Sequence, residues 1–191
     1  MTNIFSGRPW LATYILLLIL LAPNMAWGQR LSLSNLVVDN QEGRIKVRFG
    51  LDFKEVAALR EALAENGSLV LDCRATLGIS REYSWNKEVA KVQLKSPLDQ
   101  LGENGSFEIK VPGANPVNYR GKNLDRVLKE AWGELTLDLG DWSMLPRGQD
   151  YVLDLDIHLT RQNVPSWVKG ALFFLSFDAV APAKYRLDFS Y

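Results

Sequence analysis

Long stretches of this chain alternate strictly between apolar and polar side chains. In segment 45–53 every odd position is apolar, with charged residues or glycine between them, and the odd positions from Leu69 to Ile79 are also all apolar. Successive side chains of a β-strand point to opposite faces, so a period of two predicts strands with one buried face. The same reasoning predicts further strands at 31–38, 88–95, 106–111, 117–120, 135–139, 150–160 and 184–191.

Three segments depart from this period. Lys54–Asn66 carries an apolar stripe at helical spacing and is followed by Gly67, which suits the position just after a helix. Asn123–Trp132 is a second amphipathic helix, with Asn123 as its N-cap. Pro165–Leu175 is a short and very apolar third candidate. Many strands with two or three short helices predict a mainly β chain, an antiparallel β-sandwich with helical crossovers.

The first 28 residues have the features of an export signal. Arg8 is the one charge before a largely apolar block at 11–22, and small residues precede a cleavage site before Gln29. A membrane-spanning helix needs roughly 20 apolar residues. We therefore predict a cleaved signal peptide, 1–28, and a single sandwich domain, 29–191, that is periplasmic or secreted. An uncleaved N-terminal membrane anchor remains the alternative.

The composition excludes several classes of function. The chain has 22 Lys and Arg against 22 Asp and Glu, with one His and one Cys. Balanced charge argues against nucleic acid as a partner. Cys73 cannot pair within the chain, and we expect it to be buried on the apolar face of its strand. Nucleophile-elbow and phosphate-loop motifs are absent from the sequence. We therefore nominate no catalytic residue, expect no cofactor, and favour a non-enzymatic protein.

One row of polar residues could nevertheless carry chemistry. Asp154, Asp156 and His158 alternate with apolar residues, so they are expected on one face of one strand. With a third ligand from a neighbouring strand they could hold a metal ion, or they could form the acid and base of a small hydrolase. The simpler interpretation is a solvated polar sheet face.

The segment 164–177 is the most apolar part of the chain after the signal. Lys169 is its one charged residue. It could be a helix that plugs one end of the sandwich. The functional hypothesis is that Trp167, Phe173 and Phe174 are partly exposed and bind an envelope protein or a membrane surface.

The last residues permit a different class of protein. From Lys184 to Tyr191 polar and apolar side chains alternate and the chain ends on an aromatic residue, which is typical of the last strand of an outer-membrane barrel. A small outer-membrane β-barrel is therefore a further alternative. Helical segments and short predicted strands argue against it.

Several diffuse motifs follow one another along the chain. An Arg/Trp region at 81–85 follows an early strand. A strand pattern at 148–155 continues into 159–161, and a Val-Pro pair at 164–165 precedes an apolar run at 172–176. With the signal peptide and the early paired strands, these features resemble a bacterial domain-of-unknown-function family, DUF4390, over roughly Leu31 to Tyr191. The resemblance implies an exported envelope protein without an assigned activity. It brings no active site to this chain.

Together these observations favour a soluble envelope protein that serves as a binding or accessory module. The partner would be a protein, a peptide or a lipid. A small hydrolase or metal-binding protein and the outer-membrane barrel remain the alternatives.

Overall fold

A computed structural model describes residues 31–54, 56–81, 85–102, 105–162 and 178–191, except the side chains of residue 66 and of residues 178–181. The described elements are β1 Leu31–Gln41, β2 Arg44–Phe53, α1 Val56–Asn66, β3 Ser68–Ile79, β4 Lys87–Leu101, β5 Ser106–Val111, β6 Val117–Gly121, α2 Leu124–Trp132, β7 Leu135–Asp141, a 3-10 turn Trp142–Met144, β8 Asp150–Arg161 and β9 Asp178–Ser190. The mainly β class is confirmed. The predicted third helix, 165–175, lies outside the described residues.

The strands form two antiparallel sheets. The small sheet has the order β1-β2-β7 and the large sheet the order β6-β5-β4-β3-β8-β9. At the centre of the large sheet, Cys73 of β3 lies between Leu94 of β4 and Ile157 of β8. Within the described residues both sheets are open at their edge strands.

One hydrophobic core lies between the sheets. Ile45 and Val47 of the small sheet and Leu71 and Leu153 of the large sheet are fully buried, as the alternation predicts. Cys73 is also confirmed as buried. Burial raises the pKa of its thiol well above the ordinary value, since the thiolate would lose its hydration.

The two helices complete this core and end as their sequences predict. Leu59 and Leu63 of α1, and Leu124 and Trp132 of α2, are each fully buried. The Asn123 side chain accepts a hydrogen bond from the Arg126 N–H at 3.3 Å, which confirms it as the N-cap. No helix in the described ranges is long and apolar enough to cross a bilayer.

A buried hydrogen-bond chain lets β4 run through a proline. Pro97 has no N–H to donate to β5. The β4–β5 ladder covers Leu98 to Leu101, with Leu98 opposite Ile109, so Pro97 lies just outside it. The carbonyl of Lys110, beyond the end of that ladder, accepts a hydrogen bond from Ser96 Oγ at 2.8 Å. Trp132 Nε1 donates to the same Oγ at 2.8 Å. The Ser96 hydroxyl therefore links β4, β5 and α2 inside the core.

Candidate functional site

The predicted polar row lies on the outer face of the large sheet. Asp154, Asp156 and His158 are half-buried, whereas the alternate positions of β8 are buried in the core. On β3 the residues opposite them are Thr76, Arg74 and Asp72, in that order. The structure therefore brings the three side chains onto one face, as their spacing predicts.

Cations from the neighbouring strands face the two carboxylates of this row. Lys184 Nζ lies 3.3 Å from Asp156 Oδ1, and Arg186 is opposite Asp154 on β9. These four residues and Thr76 line an open concavity of about 380 Å³. The concavity presents charges of both signs, and Lys184 neutralises Asp156.

The neighbours of the row do not complete a metal site. Asp72, the carboxylate opposite His158, accepts hydrogen bonds from Gln93 Nε2 with both of its oxygens, at 2.7 Å each. Across the described part of the chain, no group of three His, Cys, Asp or Glu side chains is placed to hold a metal ion. The metal and hydrolase roles of Asp154, Asp156 and His158 stay predictions from the sequence.

The most exposed large apolar side chain in the described residues is Trp85. It lies between β3 and β4, and its relative exposure is 93%. The same end of the sandwich carries the 3-10 turn, where Met144 is 44% exposed. The Ser80 N–H donates to the Asp150 carbonyl at 2.7 Å, which holds the start of the β3–β4 connection against β8. We call this surface, Trp85 with Met144 and the 3-10 turn, the Trp85 end.

Aromatic and backbone contacts fix the structure beneath the Trp85 end. Trp142 packs edge-on against Tyr191 with 5.2 Å between the ring centroids, and the Arg147 guanidinium lies 5.9 Å from the centre of the Tyr191 ring. Hydrogen bonds from Trp142 and Arg147 lower the pKa of the Tyr191 phenol. Tyr191 also exchanges backbone hydrogen bonds with Gln149, at 3.2 and 3.3 Å. These contacts fix the 3-10 turn and the end of β9 at this end of the sandwich.

The apolar segment nominated from the sequence attaches at the opposite end. Trp167, Phe173 and Phe174 lie outside the described residues. The chain leaves β8 at Gln162, whose N–H donates to the carbonyl of Ser68 at the start of β3. The Trp85 end follows the other terminus of β3, roughly 40 Å away for a strand of this length.

The alternation predicts the polar row but does not single out Trp85, which stands at the end of the Arg/Trp region 81–85. A signal was present in the sequence. Arg81 interrupts the apolar odd positions of β3 before Trp85, and polar residues surround the tryptophan, which indicates a connection between strands there.

One of three comparisons with known proteins finds a match. A family model described as "Domain of unknown function (DUF4390)" matches residues 28–188, nearly the whole chain. The chain belongs to the DUF4390 family. No curated protein and no solved structure matches it. The DUF4390 match includes strands of both sheets and Trp85, and the family description assigns no activity to them.

Proposed function

We propose that this DUF4390 protein is an exported, non-enzymatic binding protein of the bacterial envelope, and that it contacts its partner through the Trp85 end. The observation that carries the proposal is the 93% exposure of Trp85, at the end of the sandwich where Met144 is also exposed. Tryptophan is the residue type most enriched at the energetic centres of protein interfaces, and it also favours the membrane–water interface.

The free energy available at this position is large for a single side chain. Covering an indole removes roughly 200 Å² of surface from water, and at about 25 cal/mol per Å² this gives an upper limit of about 5 kcal/mol. At the same end of the sandwich, Trp142 and Tyr191 pack edge-on with their ring centroids 5.2 Å apart.

The placement in the envelope rests on the first 28 residues. Their apolar block and the small residues before Gln29 are features of an exported chain. In the envelope a partner protein, a peptide or a lipid surface is available to the Trp85 end.

The apolar segment 164–177 provides a second candidate contact. Its aromatic residues Trp167, Phe173 and Phe174 would make this contact, and the chain enters the segment after Gln162, at the end of β8 opposite the Trp85 end. Replacing Trp167 and Phe174 by Ser separates the two roles of this segment. Loss of the fold favours the plug, whereas an intact fold with lost binding favours a docking segment.

Two variants test the Trp85 end. The full-length gene is expressed as wild type, as Trp85→Ser and as Val117→Ser, and the cells are fractionated after mild cross-linking. Val117 is a matched control because it is also an exposed apolar residue, at 44%, but on β6. We expect processed product in the periplasmic or envelope fraction, a cross-linked species with wild type and Val117→Ser, and loss of that species with Trp85→Ser. Unprocessed product in the cytosol, or an unchanged cross-linked species from Trp85→Ser, would contradict the proposal.

A further inference from the structure

The large sheet ends in a long strand with a free edge. β9 spans Asp178–Ser190 and pairs with β8, and no strand among the described residues pairs with its other side. A free edge presents unpaired N–H and C=O groups that favour pairing with another strand. This edge therefore needs a partner or a device that prevents pairing.

Other strand edges of the molecule carry such devices. In β1 the register shifts between Ser34 and Val37, and the Tyr185 hydroxyl accepts from the Leu33 N–H at 3.0 Å and donates to the Leu31 carbonyl. β6 is only five residues long. In β9 such devices are confined to its first part, where Pro182 lies and the register with β8 shifts between Asp178 and Ala183; from Ala183 to Ser190 it pairs with β8 without a shift.

The backbone pattern identifies which groups point outward from β9. Tyr191 donates its N–H to Gln149 and accepts from the N–H of the same residue, so its backbone groups point toward the β8 side. Hydrogen-bonded and non-hydrogen-bonded pairs alternate in an antiparallel ladder. It follows that Lys184, Arg186, Asp188 and Ser190 direct their N–H and C=O groups to the free edge.

The side chains at these four positions favour one self-pairing register. If two copies of β9 run antiparallel with Leu187 opposite Leu187, Arg186 of each copy is opposite Asp188 of the other, and Lys184 is opposite Ser190. If one copy is shifted by two residues in one direction, Arg186 is opposite Arg186. If it is shifted by two residues in the other direction, Asp188 is opposite Asp188. The symmetric register about Leu187 is therefore the one that pairs opposite charges without opposing like charges.

The opposite face of the same strand is apolar and half-buried. Tyr185, Leu187 and Phe189 pack against the core but keep part of their surface exposed. In the register about Leu187, Tyr185 of each copy is opposite Phe189 of the other. Aromatic and aliphatic cross-strand pairs of this kind stabilise antiparallel strands.

We propose that two copies of this chain pair through β9 into a two-fold symmetric dimer with a continuous twelve-stranded sheet. About eight backbone hydrogen bonds form across the axis, two for each pair of outward-facing residues. Arg186 and Asp188 are 54% and 66% exposed in one copy, where Arg186 Nε lies 3.4 Å from Asp188 Oδ1. In the dimer each exchanges this contact for one with the opposite charge of the other copy.

Charge reversal tests the register directly. The full-length gene is expressed, and the product is purified as the cell makes it and examined by sedimentation equilibrium. Arg186→Asp and Asp188→Arg each oppose like charges at two symmetric positions, which raises the dimer dissociation constant roughly tenfold to hundredfold. The double variant with both changes restores opposite charges, and its dissociation constant returns toward that of wild type. Lys91→Asp, on the exposed part of β4, is the control and leaves the constant unchanged.

A cysteine at the symmetry axis gives an independent measurement. Leu187→Cys places two thiols opposite each other in a non-hydrogen-bonded pair, with Cα atoms about 4.5 Å apart, so mild oxidation links the copies. Ser190→Cys is the control, since Ser190 meets Lys184 and not itself. Cys73 is buried and does not interfere.

Each outcome decides the proposal. The proposal is supported if wild type is a dimer, both single reversals weaken it, the double variant restores it and oxidation of Leu187→Cys links the two copies. A monomeric wild type, a dimer insensitive to the single reversals, or a double variant no better than the singles overturns it. None of these results depends on whether the Trp85 end has a partner.

Discussion

Replacing Ser96 by Ala is expected to destabilise the fold out of proportion to the atom removed. The Ser96 hydroxyl is fully buried and accepts from Trp132 Nε1 at 2.8 Å, and Trp132 is itself fully buried. Without that oxygen the indole N–H has no partner, which costs about 1–3 kcal/mol. The Lys110 carbonyl also loses its donor. We expect a loss of about 2 kcal/mol in the free energy of unfolding.

Urea unfolding, followed by circular dichroism and tryptophan fluorescence, measures this loss. Ser190→Ala is the matched control, because that hydroxyl is exposed and bonds to Asp150. It should change stability by less than about 0.5 kcal/mol. In a Trp132→Phe background, which lacks the indole N–H, Ser96→Ala should cost at least about 1 kcal/mol less than in wild type. Equal costs in both backgrounds, or a cost like that of Ser190→Ala, would refute the reasoning.

Three further predictions follow from single residues. Gly50→Ala should lower the free energy of unfolding by about 1–3 kcal/mol in urea, because a Cβ at this position overlaps the backbone carbonyl of Gly133, just after α2. Its control, Gly113→Ala, places the Cβ in open space and should leave stability unchanged. Arg120→Ala should raise the pKa of Glu108 in a carboxyl NMR titration, since the Arg120 hydrogen bond is the main cause of its lowered pKa; an unchanged pKa would remove that explanation. Cys73 should react with a thiol reagent only after unfolding, and labelling of the folded protein would contradict its burial.

The alternation of side chains predicted the strands well because each strand has one face in the core. The odd positions of β3 from Leu69 to Leu77 are fully buried, as expected. Local hydrogen bonding also made the end of α1 predictable. Gly67 has a φ of +71°, and its N–H bonds to the carbonyl of Leu63.

Strand ends near prolines were less predictable because they depend on distant partners. β4 was expected to end at Lys95, but it continues past Pro97 because the Ser96 hydroxyl serves the carbonyl that the proline cannot reach. β9 begins at Asp178 and passes through Pro182, where its register with β8 shifts between Val180 and Ala183. Neither compensation is visible from local sequence.

The site was predictable in its placement but not in its surroundings. Alternation placed Asp154 and Asp156 on one face, yet only the register with β9 shows that Lys184 and Arg186 lie beside them. Glu108 of β5 is 3% exposed and lies between Asp99 of β4 and Arg120 of β6. Strand order is a property of the whole fold, so such neighbours cannot be derived from one segment.

The most direct test of the proposed function is in-cell photo-cross-linking from position 85. A photoreactive amino acid replaces Trp85 in the full-length gene, and a second strain carries it at Lys129, which is 68% exposed on α2 and far from β3 and β4 in the chain. We predict one discrete adduct from position 85 on the processed, exported product, which mass spectrometry assigns to a protein, a peptide or a lipid, and no such adduct from position 129. The same adducts from both positions, or none from position 85, would contradict a binding role for the Trp85 end.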